Sequence, residues 1–386
     1  MAFIPSSFNK LWPKFVVILI CIIMLFGLLL LPLTWSNLKH VFTSDNKNLS
    51  LVYSVFHEQF DEIYLSSSEG DSPPRLLAQI GRFTSHSITL GSGIYKNKIT
   101  YIAVPTKSKK STLIGTLWVL DLTTGERTVL ATDADPTSPP QWLDDGDTLL
   151  YKRVRINRQE LITINLESRI KKIIFSESFA QPQYGTNFGG VYPVGQDATN
   201  NIIFAKLTPS GTDVLAVNRI SKDTTNLFHA SNEFARDFSL SPSKTQLSYL
   251  VAMEQFERLN YQTVIYDLNS GKLTTYTSDS YEQFSPKWVP RTDLLSIGRI
   301  NMKNRSGAVI LFSEKSLEEL PPPKHGFDVP ISWSPDGRYL SIKNYSGTSG
   351  LQPGSSSLMI IDRNLGTRTL LESASETTVV GWWSND

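Results

Sequence analysis

Five histidines, His40, His57, His86, His229 and His325, and the acidic run Asp144, Asp145, Gly146, Asp147 are the first places to look for chemistry in this 386-residue chain. Two imidazoles four residues apart on a helix, with a glutamate between, would hold zinc and supply a general base. None of the five stands in such an H-E-x-x-H pairing, and the lone Cys21 has no C-x-x-C partner. Calcium loops need spaced carboxylates and a closing glutamate, which the acidic run lacks; it reads as a polar hairpin turn. The Gly/Ser-rich stretch SGTSGLQPGSSS from Ser346 has no strand-turn-helix setting for a nucleophile elbow, and no phosphate loop or dinucleotide fingerprint occurs. The sequence therefore assigns no catalytic residue, no metal ligand and no cofactor.

Charge narrows the partners. With 37 Lys+Arg against 36 Asp+Glu, the net charge of +1 provides no field to concentrate phosphates, so no nucleic-acid partner is expected. The short basic runs Lys107 to Lys110 and Arg153 to Arg158 read as solvated loops or strand edges.

The strongest composition shift lies at the start. Phe15 to Leu33, FVVILICIIMLFGLLLLPL, carries no charge over 19 residues. As a helix rising about 1.5 Å per residue it spans roughly the 30 Å of a bilayer's hydrocarbon core. The stretch exceeds a signal-peptide h-region, and no small-x-small cleavage site follows it, which predicts a retained anchor. Trp12 and Trp35 flank it where interfacial aromatics are favoured, and Lys10 and Lys14 precede it. The expected layout is a cytoplasmic tail over 1–14, a transmembrane helix over 15–33 in contact with the lipid bilayer, a tether over 34–48, and an extracytoplasmic domain. That domain holds no cysteine, so packing alone must hold its fold.

Its elements repeat. The anchors Trp142, Leu240, Trp288, Trp333 and Trp382, each beside a turn-rich cluster or the chain end, are separated by 98, 48, 45 and 49 residues. The first interval is two periods. After each anchor come alternating strands and a second turn, as in LWVLDLTTGERTVLAT from Leu117, TVIYDLNSGKLTTYT from Thr263 and LMIIDRNLGTRTLLES from Leu358. Four strands per unit of this length is a propeller-blade pattern, since a lone twisted sheet buries neither face until others stack around it. Units beginning near Ile88, Pro139, Gly189, Arg236, Gln283 and Pro330 make six, the Gly189 unit resting on spacing alone. A seventh is split: Leu49 to Ala78 supplies three strands and Thr378 to Trp383 the missing first one. The expectation is an all-β, seven-bladed propeller with four-stranded blades over 49–386, preceded by a single N-terminal transmembrane helix and closed by strand 378–383.

WSPDGRYLSI, Trp333 to Ile342, resembles the WSPDG repeat of TolB-like, WD40-like propellers, which also occurs in the propellers of prolyl-oligopeptidase-type peptidases. WLDDGD, LSPSKT and WVPRTD keep part of the pattern. The resemblance implies a rigid, exported ring that binds a protein or peptide partner at one face or at the channel mouth. The motif residues themselves read as structural. Trp333 packs between sheets, Pro335 sets φ for the turn, Asp336 bonds backbone amides, and Gly337 takes a positive φ.

Two functions follow. The first is a membrane-tethered, non-catalytic interaction scaffold, with the stretches Val251 to Tyr261 and Asn344 to Ser357 as insertions that contact the partner. The second is a propeller enzyme, a hydrolase or lyase on glycans or small molecules, with its site in the channel. A peptidase would need an appended hydrolase domain, for which the repeats leave no room.

Overall fold

Strands two and three of the repeats read as near-continuous apolar runs, as in TLLYKRVR and RQELITIN, because both of their faces are covered. The computed structural model describes residues 49–81, 86–104, 114–155, 157–178, 190–255, 258–276, 280–313, 316–373 and 376–384. These residues form seven four-stranded antiparallel sheets. Blade 1 joins the two ends of the described chain: Thr377–Ser384 pairs with Leu49–Phe56, followed by Phe60–Ser67 and Arg75–Gly81. Blades 2 to 7 span residues 89–134, 141–178, 191–231, 235–276, 281–319 and 327–372 in chain order. The expected tail, membrane span and tether lie outside the described residues, among which no helix is long and apolar enough to cross a membrane.

Stability comes from the seams between blades. Because successive side chains on a strand point to opposite faces, Leu149 and Tyr151 pack against blade 2 while Leu150 packs against blade 4. The same division gives a buried cluster at each of the seven seams, with a second, Phe284, Ile300 and Phe327, between blades 6 and 7. Two of them flank the split blade: Trp382 joins Leu51 and Tyr53 against blade 7, and Trp383 joins Val52 against blade 2.

The first strands of neighbouring blades pack against one another and surround the channel. Antiparallel pairing puts the turns between strands one and two on one face of the ring, here called the turn face. The connections between strands two and three, and those between blades, lie on the other, the loop face. On the turn face one backbone pattern recurs. The N–H three residues into the turn donates back to the first carbonyl in Leu143–Gly146, Asp197–Asn200, Ser241–Lys244 and Ser334–Gly337. The fourth residue, which donates that bond, takes φ of +65, +66, +59 and +72° in turn, so Asn200 and Lys244 adopt the conformation glycine holds in the intact signature.

One expectation is corrected. Val251 to Tyr261 is no insertion: strands Gln246–Gln255 and Arg258–Asp267 run in unbroken register up to the Gln255↔Arg258 pair, a long hairpin of blade 5 itself. Asn344 to Ser357 does contain extra chain. Tyr345 pairs with Ser356, and the loop between closes on itself through Ser346 N–H to Ser355 O, 2.9 Å, and Gly347 N–H to Pro353 O, 2.8 Å.

Candidate functional site

Inside the ring, the first strands carry bulges that aim side chains into the channel. In blade 6 the register slips between Phe284 and Lys287, and Ser285 sits at φ +42°. In blade 5 it slips between Arg236 and Ser239, with Asp237 at φ +57°. Blades 4 and 7 slip as well, at Pro193/Gly195 and Pro330/Ser332. A bulge adds an unpaired residue and re-aims its neighbours. Here it turns Lys287 into a cavity of about 590 Å³ bounded by blades 6, 7, 1 and 2. Lys343 and Tyr345 from the second strand of blade 7 share the cavity with the hydroxyls of Ser92, Ser285 and Ser332.

Both lysines are electrostatically unusual. The Lys287 amine makes no hydrogen bond or ion pair among the described residues and is largely withdrawn from solvent at the cavity wall. Burial therefore pushes its pKa below the ordinary lysine value, with the charge of Asp237 opposing the shift. Lys343 is lowered for the same reason, opposed by Glu376; its Nζ donates to Thr377 O at 3.4 Å and lies over the Tyr345 ring. No carboxylate or imidazole is among the described residues that line this cavity.

The repeat residues are distributed one set to a blade. Trp288 donates its indole N–H to Ser239 O of blade 5 at 2.9 Å, Trp333 to Ser296 Oγ of blade 6 at 2.9 Å, and Trp382 to Ser332 O of blade 7 at 3.1 Å. Leu240 packs into the seam between blades 4 and 5. Trp142 meets Tyr95 in a tilted contact at 5.8 Å, and its buried indole nitrogen has no partner among the described residues. Asp336 accepts from Ser334 Oγ at 2.5 Å and from Arg338 N–H at 3.1 Å, and Gly337 sits at φ +72°. Of this set, Trp333, Pro335 and Trp382 also wall the cavity.

The histidines and the acidic run disperse. His57 pairs with Glu62 at 2.8 Å in blade 1, and His229 with Asp213 at 2.7 Å in blade 4. Asp144, Asp145 and Asp147 turn to three different blades, meeting Lys244, Arg219 (3.3 Å) and Lys96 (3.0 Å). Among the described residues no group of three or more His, Cys, Asp or Glu side chains is placed to hold a metal ion.

Sequence reasoning missed Lys287 and Lys343. One signal was available for the first: a lysine inside FSPKW, on a strand expected to lie innermost.

This architecture is a seven-bladed β-propeller, and solved structures share its fold. TolB from Acinetobacter baumannii matches with a TM-score of 0.50 at 14% identity, over 88% of this chain and 67% of that one. A prolyl endopeptidase structure matches at 0.56 and 13% identity over 86% of this chain, which spans half of its length at 50%. An oligogalacturonate lyase in complex with manganese matches at 0.54 and 11%, covering 85% and 86%. No protein-family model and no curated protein matches the chain. At such identities the likeness shows the fold, while the activities belong to those proteins.

Proposed function

We propose that the chain is a membrane-tethered, extracytoplasmic scaffold whose propeller holds a protein or peptide partner in the central cavity without transforming it. The observation that carries this reading is the cavity wall: Lys287 on a first strand, Lys343 and Tyr345 on a second strand, and several hydroxyls and prolines between them. Among the described residues Lys287 has no counter-ion in contact, so an acidic segment entering the channel supplies one. The apolar stretch at 15–33 supports the tether.

The test uses fluorescence anisotropy with labelled peptides that differ only in Glu, Gln or Lys content, added to the full chain in detergent. The Glu peptide binds tightest, binding weakens with salt, and the double variant Lys287→Ala/Lys343→Ala weakens it about tenfold, ~1.4 kcal/mol. Equal binding of all three peptides, or an unaffected double variant, contradicts the reading.

One observation favours the enzyme alternative. An amine whose pKa burial has lowered is a better base and nucleophile at neutral pH. Turnover of a glycan or small molecule by the purified chain, abolished by Lys287→Ala, puts the alternative in place of the scaffold.

A further inference from the structure

A second pocket opens on the loop face where blades 5, 6 and 7 meet, about 300 Å³ in volume. Its floor holds two buried oxygen-bearing side chains. Asn260, 1% exposed, donates its Nδ2 to Tyr281 O at 3.2 Å, and its buried Oδ1 has no partner among the described residues. Glu282, 9% exposed, accepts the Gly350 N–H at 3.2 Å through Oε2, and its other oxygen takes no hydrogen bond among the described residues. Met302 and Leu351 form apolar walls, and Thr348 and Ser349 add hydroxyls. The blade 7 loop roofs the pocket. Gly350 reaches Glu282, and Thr348 O accepts from Arg305 at 3.1 Å, so the extra chain between Tyr345 and Ser356 helps to build the site.

A mostly buried carboxylate with a spare oxygen on the pocket, beside a buried amide oxygen that lacks a donor among the described residues, leaves the site incomplete as it stands. Arg305 and Arg236 lie close enough to be felt by Glu282, yet neither forms an ion pair with it. We propose that this pocket binds a primary ammonium group, with Glu282 as its counter-ion and Asn260 Oδ1 and a hydroxyl as its remaining acceptors. An ammonium has three donors and no acceptor, which this trio complements. A volume equal to about ten waters' share of the liquid admits the amine with one or two residues of an attached chain. The apolar walls suit the methylenes or small side chain that follow. A peptide N-terminus and a lysine side chain carry the same group. Burial raises the Glu282 pKa, so binding weakens as pH falls through that raised value and the carboxylate is lost.

This site is separate from the channel cavity, and its test is arranged so that either can fail alone. Saturation-transfer NMR on the full chain in detergent uses three probes: trialanine amide, N-acetyl-trialanine amide and N-acetyl-Ala-Lys-Ala amide. Signal from the first assigns an N-terminus, signal from the third a lysine, and the second, lacking an amine, stays silent. Glu282→Gln lowers the signal at least tenfold while the melting temperature holds or rises, because an incompletely paired buried charge is removed. Asn260→Ala weakens binding less. Lys287→Ala/Lys343→Ala leaves amine binding unchanged, and Glu282→Gln leaves acidic-peptide binding unchanged. Signal from N-acetyl-trialanine amide equal to the others, silence from both amine probes, or full binding by Glu282→Gln overturns the proposal.

Discussion

Blade 7 and blade 4 are built to the same plan from different letters. Blade 7 carries the full Trp-Ser-Pro-Asp-Gly signature, and blade 4 carries Gln-Asp-Ala-Thr-Asn in its place. In blade 7, Trp333 is held to blade 6 through its indole N–H; in blade 4, Gln196 Oε1 accepts the Asp144 N–H of blade 3 at 3.1 Å. In blade 7 the side chains of Ser334 and Asp336 cap the turn; in blade 4, Asp197 Oδ1 accepts from Thr199 and Asn201 N–H at 2.9 and 2.8 Å. The comparison teaches that these two blades share a hydrogen-bonded latch to the preceding blade and one residue in the left-handed region, although their letters differ. Aromatic burial is a separate contribution, which blade 4 forgoes at this position.

That view can be broken at several strengths. The largest effect belongs to the blade that needs both ends of the described chain. Removing Val379 to Asp386 takes away Trp382 and Trp383, each 7% exposed, and leaves Leu49–Phe56 as an open edge. One buried tryptophan alone is worth about 3 to 5 kcal/mol, comparable to a domain's net stability. The truncated protein aggregates or is degraded, and an unchanged melting temperature sinks the closure.

Next come the anchors. Trp333→Ala costs about 3 to 5 kcal/mol by cavity formation. Gln196→Ala removes an acceptor from a backbone donor and costs about 1 to 3 kcal/mol. Urea unfolding of both variants checks the order, and equal losses would show that burial is not what separates the blades.

A smaller effect tests the turn. Gly337→Ala places a Cβ at φ +72°, 3.2 Å from Val289 Cγ1, and costs about 1 to 2 kcal/mol. Asn200→Ala, whose starting residue already bears a Cβ there, costs less, because only its acceptance of the Gln196 Nε2 hydrogen is lost. If the two substitutions cost the same, left-handed strain is not the requirement.

The smallest effect is a pH dependence confined to blade 4. Hydrogen bonds to Asp213 (2.7 Å) and Asn232 (3.0 Å) raise the His229 pKa, and solvent screens the pair. With the folded pKa above the unfolded value of about 6.5, the contribution is present in full below that value and is lost as pH rises through the folded pKa. The melting temperature of the wild type therefore falls slightly more from pH 6 to pH 8 than that of His229→Gln. A parallel course for the two proteins removes the histidine from the account.

The blade plan was legible in the sequence because it rests on local patterns. Anchor spacing and Asx-x-x-x-Gly turns such as Asp121 to Gly125 and Asp362 to Gly366 are set within a few residues. Even the blade at Gly189, without its signature, was placed by spacing. Val251 to Tyr261 misled because its charged and amide residues interrupt the apolar pattern, whereas the pairing register carries the strands to Gln255 and Arg258 regardless. The sites were hidden for a different reason. Lys287 faces the channel because of a bulge at Ser285, which no composition rule marks. The loop-face pocket collects Asn260, Glu282, Arg305 and Thr348 from three blades, a convergence that exists only once the ring has closed.

The most direct test of the central claim places a photo-reactive benzoylphenylalanine at Tyr345, on the cavity wall, in the full-length protein within its native membranes. A second copy of the experiment places it at Leu76, on the outer edge of blade 1. The account predicts a protein or peptide adduct from position 345 that Lys287→Ala/Lys343→Ala suppresses, and none from position 76. Adducts of equal yield from the two positions, or a cavity that cross-links to nothing, would contradict it.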